Sequence, residues 1–176
     1  MVTRVRRARP EDAGIVAAVA AETFELACPP TTSPEAIATF IRDTLSEGRF
    51  SGYLADERYT VLLADVDGEI AGYTMLVCGD PADPDVASAV TERPTIELSK
   101  CYVRAKFHAL GVGGTVMEAS ISFAREAGAA SVWLGVNQQN GRALRFYEKN
   151  GFSRVGTKHF LVGGELHDDF VLENVL

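Results

Sequence analysis

His108-Ala109-Leu110-Gly111-Val112-Gly113-Gly114-Thr115 sets three glycines between two segments of different periodicity. Immediately upstream, Ile96-Glu97-Leu98-Ser99-Lys100-Cys101-Tyr102-Val103 is rich in β-branched, apolar and aromatic residues, which predicts a strand. Downstream, Val112, Val116, Ala119, Phe123 and Ala127 recur at helical spacing. Glycines between a strand end and a helix start let backbone N–H groups come close to an anion. The unpaired N–H groups of the first helical turn point the same way, and the helix dipole adds to the attraction. The stretch is therefore a candidate pyrophosphate cradle.

Charge is consistent with that reading. Residues 98 to 158 hold nine Lys/Arg and three Asp/Glu, a local +6 in a chain of net −7. A basic segment in an acidic chain suits a phosphate-bearing ligand there and a cationic one elsewhere. Bases that merely decorate helix faces would look the same, so charge alone does not choose. The glycine pattern excludes two common phosphate loops. No Gly-Lys-Ser/Thr follows, as a Walker A loop requires, and G-x-G-G is not the G-x-G-x-x-G of a dinucleotide fold. Nor does an acid end the strand near Val132–Val136, where such a fold places its ribose ligand.

The downstream partner makes the pattern specific. Val136, Asn140, Ala143, Phe146, Tyr147, Gly151 and Phe152 spell V-x3-N-x2-A-x2-F-Y-x3-G-F. Strand, H-x-x-G-x-G-G, helix and this second motif together resemble the GNAT family of acetyl-CoA-dependent N-acetyltransferases, which usually has Gln or Arg where His108 stands. The motifs span about a third of the chain. Glu97-Leu98-Ser99-Lys100-Cys101-Tyr102-Val103, Lys106-Phe107 and Val132-Trp133-Leu134-Gly135-Val136 look like the PaiA-type branch, which resembles polyamine acetyltransferases. Thr157-Lys158-His159-Phe160, Gly163-Gly164 and Asp168-Asp169 are similar to it as well.

The resemblance implies an α/β (α+β) fold. Its central sheet is mixed and mostly antiparallel, splayed at the acetyl-CoA site, with helices on both faces. It implies backbone N–H groups of Ala109, Leu110, Gly111, Val112, Gly113 and Gly114 on the coenzyme pyrophosphate, with His108 and the Thr115 hydroxyl beside them. Cys101, Tyr102 and Val103 would meet the pantetheine arm, the backbone of Cys101 and Val103 pairing with it as a strand would. Asn137, Asn140 and Tyr147 complete the coenzyme set. Tyr147 is the expected acid that protonates the leaving thiolate, since a phenol near the sulfur can supply a proton.

Transfer to an amine also needs a base, because an ammonium has no lone pair. Glu97 is the carboxylate singled out for this, directly or through a water. Strict alternation would place it on the face of Ser99 and Cys101. A solvated strand residue is the plainer reading of the same glutamate. No Cys/His/Asp arrangement argues for a covalent intermediate, so attack should be direct.

Length and composition set the frame. At 176 residues with 47% apolar content, the chain suits one domain, residues 1–176. An isoelectric point near 5 argues against nucleic acid as main partner. Three cysteines, Cys28, Cys78 and Cys101, lack framework spacing, which suits a reducing cytoplasmic setting. Neither a leader-like apolar segment nor a run near the ~20 residues of a membrane span is evident. His159, His167, Asp168 and Asp169 have no recognised ligand spacing, and no metal is expected.

Along the chain, Thr3 to Ala8 reads as an edge strand guarded by Arg4, Arg6 and Arg7. Pro10 opens a helix to about Glu25. Ser33-Pro34 caps a second, with Ile37, Phe40, Ile41 and Leu45 inward and Gly48 as its stop. Phe24, Phe50 and Tyr53 are candidates for an acceptor wall, with core packing the plainer alternative. Asp67-Gly68 joins two strands as a hairpin, and Gly72 suggests a bulge or close approach. Asp80 to Arg93 reads as loop. Phe160 and Asp168 are further candidates for the acceptor border. Ten acids against two bases between Asp56 and Glu97 are either solvated surface or a means of attracting a cation. The resulting expectation is acetyl transfer to a small cationic amine such as spermidine or spermine, by a monomer or homodimer. Another amine (an amino acid, an aminoglycoside or a protein N-terminus) and a non-catalytic coenzyme sensor are the alternatives.

Overall fold

The computed structural model describes all residues, Met1 to Leu176. Seven strands form one sheet in the order β1-β2-β3-β4-β5-β7-β6. They are β1 (Thr3–Arg7), β2 (Tyr59–Val66), β3 (Glu69–Cys78), β4 (Thr95–Val103), β5 (Ser131–Asn137), β6 (Ser153–Val162) and β7 (Glu165–Val175). Only β4 and β5 run parallel; every other neighbouring pair is antiparallel. The helices are α1 (Ala13–Ala27), α2 (Pro34–Thr44), α3 (Glu47–Ala55), α4 (Pro84–Ala89), α5 (Val112–Glu126) and α6 (Gly141–Lys149).

Two apolar layers cover the sheet. On one face α5 and α6 pack over Ile96, Leu98, Val132, Leu134 and Val136. On the other, α1, α2 and α3 bring Val16, Val19, Phe24 and Phe50 onto Val61, Leu63, Tyr73 and Met75. Each large side chain buried in these layers stabilises the fold by about 1.5–3 kcal/mol. The hairpin between β2 and β3 forms at Asp67-Gly68, both with positive φ (52° and 94°), as a tight primed turn requires. Gly72 is a close approach: a Cβ there would stand 2.5 Å from the Tyr102 carbonyl oxygen.

Three local expectations are corrected. Pro10–Asp12 forms a single 3-10 turn before α1 rather than the helix itself. Gly48 does not stop α2, which ends at Thr44; Ser46 caps a separate helix, α3, with its Oγ accepting from Arg49 N, and Gly48 lies inside it. Within the presumed loop Asp80–Arg93, Asp83 caps α4 and Pro84 sits at its first position. Val86 and Val90 then bury against Trp133 and Val171. The Asp/Pro-rich composition that reads as loop is here a cap followed by a helix start.

Candidate active site

An irregularity in β4 and a parting of strands build the site. Met75 pairs with Lys100 but Leu76 pairs with Leu98, so Ser99 is an extra residue on β4. Side chains change face across it. Ile96 and Leu98 share the α5 face with Cys101 and Val103, whereas Tyr102 packs with the α1–α3 layer. Glu97 is therefore on the face opposite Cys101, which corrects the strict alternation. The parallel pairing of β4 with β5 extends only from Thr95/Ser131 to Glu97/Trp133. Beyond Glu97 the two strands part, and a cavity of about 470 Å3 passes between them, lined from both faces of the sheet.

The α5 end of this cavity is an N–H cradle. A 3-10 segment, Ala105–Leu110, leads to Gly111, whose φ of 77° is the left-handed conformation that favours glycine. Thr115 N donates to Gly111 O at 3.2 Å, while the amides of Val112, Gly113 and Gly114 precede this first intrahelical donor and have no side-chain cap. A Cβ at Gly111 or Gly114 would meet nothing within 4 Å, so no neighbouring protein atom demands glycine at Gly114. The space there and the free amides fit a diphosphate. His108 lines the cavity with its ring held: Nε2 donates to the Val103 carbonyl at 2.6 Å. The Thr115 hydroxyl is turned away, donating to Gly111 O at 3.3 Å, as threonines in helices commonly do.

Where the strands part, Cys101 and Tyr147 come together. Burial pushes the Cys101 thiol up to about 12, which the nearby Tyr147 only partly offsets. Burial, and then the neighbouring Cys101 and Tyr102, also raise the Tyr147 phenol well above its ordinary value. Both groups are protonated at neutral pH. Asn140 caps α6 by accepting from Ala143 N at 3.1 Å, and Asn137 accepts from Gln139 N at 2.9 Å. Both line the cavity.

On the opposite face the cavity has an aromatic wall and a charged floor. Phe24 stacks on Phe40 at 4.4 Å, and Phe40 meets Phe160 edge-on at 5.6 Å. The floor carries Glu97, Lys100, Lys158 and Asp169. Burial raises the Glu97 carboxyl, which Lys100 and Lys158 partly offset. Burial lowers the Lys100 ammonium to about 8. Asp169, 5% exposed, is pushed up to about 6 by burial against the opposing pull of Lys158 and His167. Its Oδ1 has no hydrogen-bond partner, and neither does the buried Nε2 of His167.

Of the expected site residues, Glu97, Cys101, Tyr102, Val103, His108, Gly111, Gly113, Gly114, Asn137, Asn140 and Tyr147 line the cavity. Ala109, Leu110, Val112 and Thr115 do not; the Val112 side chain is core, and its contribution is confined to its backbone. Of the aromatic candidates Phe24 and Phe160 line the cavity. Phe50 is fully buried in the core, and Tyr53 donates to Thr44 O at 3.4 Å. Asp168 is corrected to its neighbour: Asp168 is exposed and binds His159 Nδ1 at 3.0 Å, while Asp169 faces the cavity. Lys100, Lys158 and Asp169 also line the cavity, although no sequence motif marks them as site residues. The signal was present as strand parity in Lys158, Phe160 and Asp169, since Lys158 pairs with Asp169 and Phe160 with His167 across β6 and β7. Of the ten acids between Asp56 and Glu97, Glu97 alone lines the cavity.

This geometry, a sheet opened beside an N–H cradle, agrees with what the chain is similar to. The family model described as "Acetyltransferase (GNAT) family" matches residues 20–152. An uncharacterized N-acetyltransferase of Mycobacterium tuberculosis is 45% identical over 161 residues, covering 92% of this chain and 96% of the relative. An N-alpha-acetyltransferase of Sulfurisphaera tokodaii is 29% identical over 122 residues, covering 66% and 70%. Among solved structures, the PaiA N-acetyltransferase of Thermoplasma acidophilum in complex with coenzyme A superposes with a TM-score of 0.79 at 20% identity, covering 100% of each chain. The chain belongs to the GNAT acetyltransferase family. It is an acetyl-CoA-dependent N-acyltransferase, and no helix is long and apolar enough to cross a membrane.

Proposed function

We propose that the chain moves the acetyl group of acetyl-CoA to a primary amine by direct attack. The observation that carries this is the single cavity through the opened sheet, with free helix N–H groups at one end and carboxylates at the other. The coenzyme supplies a thioester, whose carbonyl carbon is the electrophile. The amides of Val112, Gly113 and Gly114 hold its diphosphate, and the parted edges of β4 and β5 receive the pantetheine arm.

Glu97 takes the proton of the incoming ammonium, directly or through a water, which frees the lone pair for attack. Its raised pKa makes it a stronger base than an exposed glutamate. As the C–S bond breaks, the Tyr147 hydroxyl protonates the departing sulfur and recovers the proton that the attacking nitrogen sheds in becoming the amide. A phenol with a raised pKa is fully protonated at neutral pH before that step. A Cys101 thiol pushed up to about 12 is a poor nucleophile, which favours direct attack over an acetyl-cysteine route.

Support for a polyamine acceptor comes from the PaiA-like stretches around Glu97–Val103 and Thr157–Asp169 and from the net charge of −7. The cavity floor, with two lysines, is less suited to a polycation. Thiol release from acetyl-CoA with spermidine, spermine and other amines tests the function. Saturable, amine-dependent release is the expected result. Coenzyme binding without release for any amine would leave a sensor in its place.

A further inference from the structure

On the acceptor face, four ionisable side chains share one floor and none is well paired. Lys158 Nζ and Asp169 Oδ2 stand 4.0 Å apart, with side-chain exposures of 14% and 7%, and neither Glu97 nor Lys100 makes an ion pair. Asp169 Oδ1 is buried and unpartnered. Gly135 on β5 keeps this floor open: a Cβ there would come within 3.2 Å of both Asp169 Oδ2 and Lys158 Cδ. Buried charges without close partners are costly, and a bound ligand of complementary charge relieves that cost.

The two lysines are not needed by the coenzyme diphosphate. Its cradle lies at the start of α5, on the other face of the sheet from Glu97 and Tyr102. A polycation placed on the acceptor face would meet two ammonium groups. An amine that also carries an anionic group would meet partners for both of its charges.

Resting on the acetyl-transfer reading above, we infer that the acceptor is a small zwitterionic amine, its ammonium directed to Glu97 and Asp169 and its carboxylate received by Lys100 and Lys158. The aromatic wall of Phe24, Phe40 and Phe160 takes the apolar body between the charges. Selection acts through pairing: an acceptor lacking the carboxylate leaves the lysines desolvated and alone.

The test compares matched acceptors in thiol release from acetyl-CoA: α-, β- and ω-amino acids, each with its amide and its decarboxylated amine, and spermidine. At least one amino acid should exceed its amide and its decarboxylated amine by about tenfold or more in kcat/KM. Lys158→Met and Lys100→Met should each shrink that ratio toward one, chiefly through KM for the carboxylate-bearing acceptor. In parallel, the N-acetylated form of the preferred amino acid should raise the melting temperature of the wild type and not of Lys158→Met. Equal or better turnover of the decarboxylated amines or of spermidine overturns the inference while leaving acetyl transfer intact. So does a lysine-variant loss that is uniform across the panel. Coenzyme binding without release for any acceptor overturns the acetyl-transfer reading, and the zwitterion with it.

Discussion

Glu173 and Asp169 lie four residues apart on β7, share a face by alternation, and are almost equally buried, at 3% and 5% exposure. Their chemistry is opposite. Burial alone would raise the Glu173 carboxyl, but it accepts from Thr91 N at 2.9 Å, Thr91 Oγ at 2.9 Å and Glu92 N at 3.0 Å, and the net shift is downward. Asp169 has one oxygen without a partner and a lysine at 4.0 Å, and is pushed up to about 6. Glu173 ties the segment before β4 to β7 and is complete. Asp169 faces the cavity and lacks a partner. Buried carboxylates are thus sorted by whether the protein itself satisfies them.

That contrast can be broken by mutation, beginning with the largest effect. Glu173→Ala removes the buried carboxylate that accepts from Thr91 and Glu92, losing several charge-assisted hydrogen bonds, and should cost about 3 kcal/mol in chemical denaturation at pH 7. Because the Glu173 pKa is depressed in the folded state, its contribution is present above the unfolded pKa and shrinks as pH falls through the folded one. A loss below about 0.5 kcal/mol would mean that the satisfied end of β7 is not structural.

At the open end the consequences should fall on turnover. Tyr147→Phe should lower kcat about 100-fold while leaving coenzyme affinity, measured by titration calorimetry, within about twofold. Unchanged turnover would remove the acid role. Glu97→Gln should lower kcat/KM about tenfold or more, most strongly below the pKa of the acceptor amine, where most acceptor still carries its proton. A loss independent of pH would discard Glu97 as the base.

The smallest effect has the opposite sign. Asp169→Asn should raise stability by about 1 kcal/mol at pH 7.5, a few degrees in melting temperature, while weakening turnover. A carboxyl whose folded pKa is raised destabilises the native state as pH rises through the interval from its unfolded value to about 6. The gain should therefore fade as pH drops toward 4, where both side chains are neutral. A loss of stability at pH 7.5 would show that Lys158 pairs with Asp169 well enough to make this end of β7 structural too.

Local chemistry made much of the molecule legible. The Asp67-Gly68 turn, the Ser33-Pro34 cap and the glycine cradle depend on conformations that a few adjacent residues fix by themselves. The spacing from Asn140 to Tyr147 places both on one short helix, α6 and its cap. Those features led to the family and to the cradle end of the cavity. The opposite face of the cavity was decided by tertiary structure. One extra residue at Ser99 moved Cys101 to the face opposite Glu97, and strand pairing brought Asp169 rather than Asp168 to the cavity. Phe40 joined the wall because α2 docks against α1, whereas Phe50 went to the core. In a strand the direction of a side chain depends on parity, and parity is set by partners far along the chain. The glycine cradle and the caps were legible in the residues alone; which charges line the far face of the cavity depended on the folded sheet.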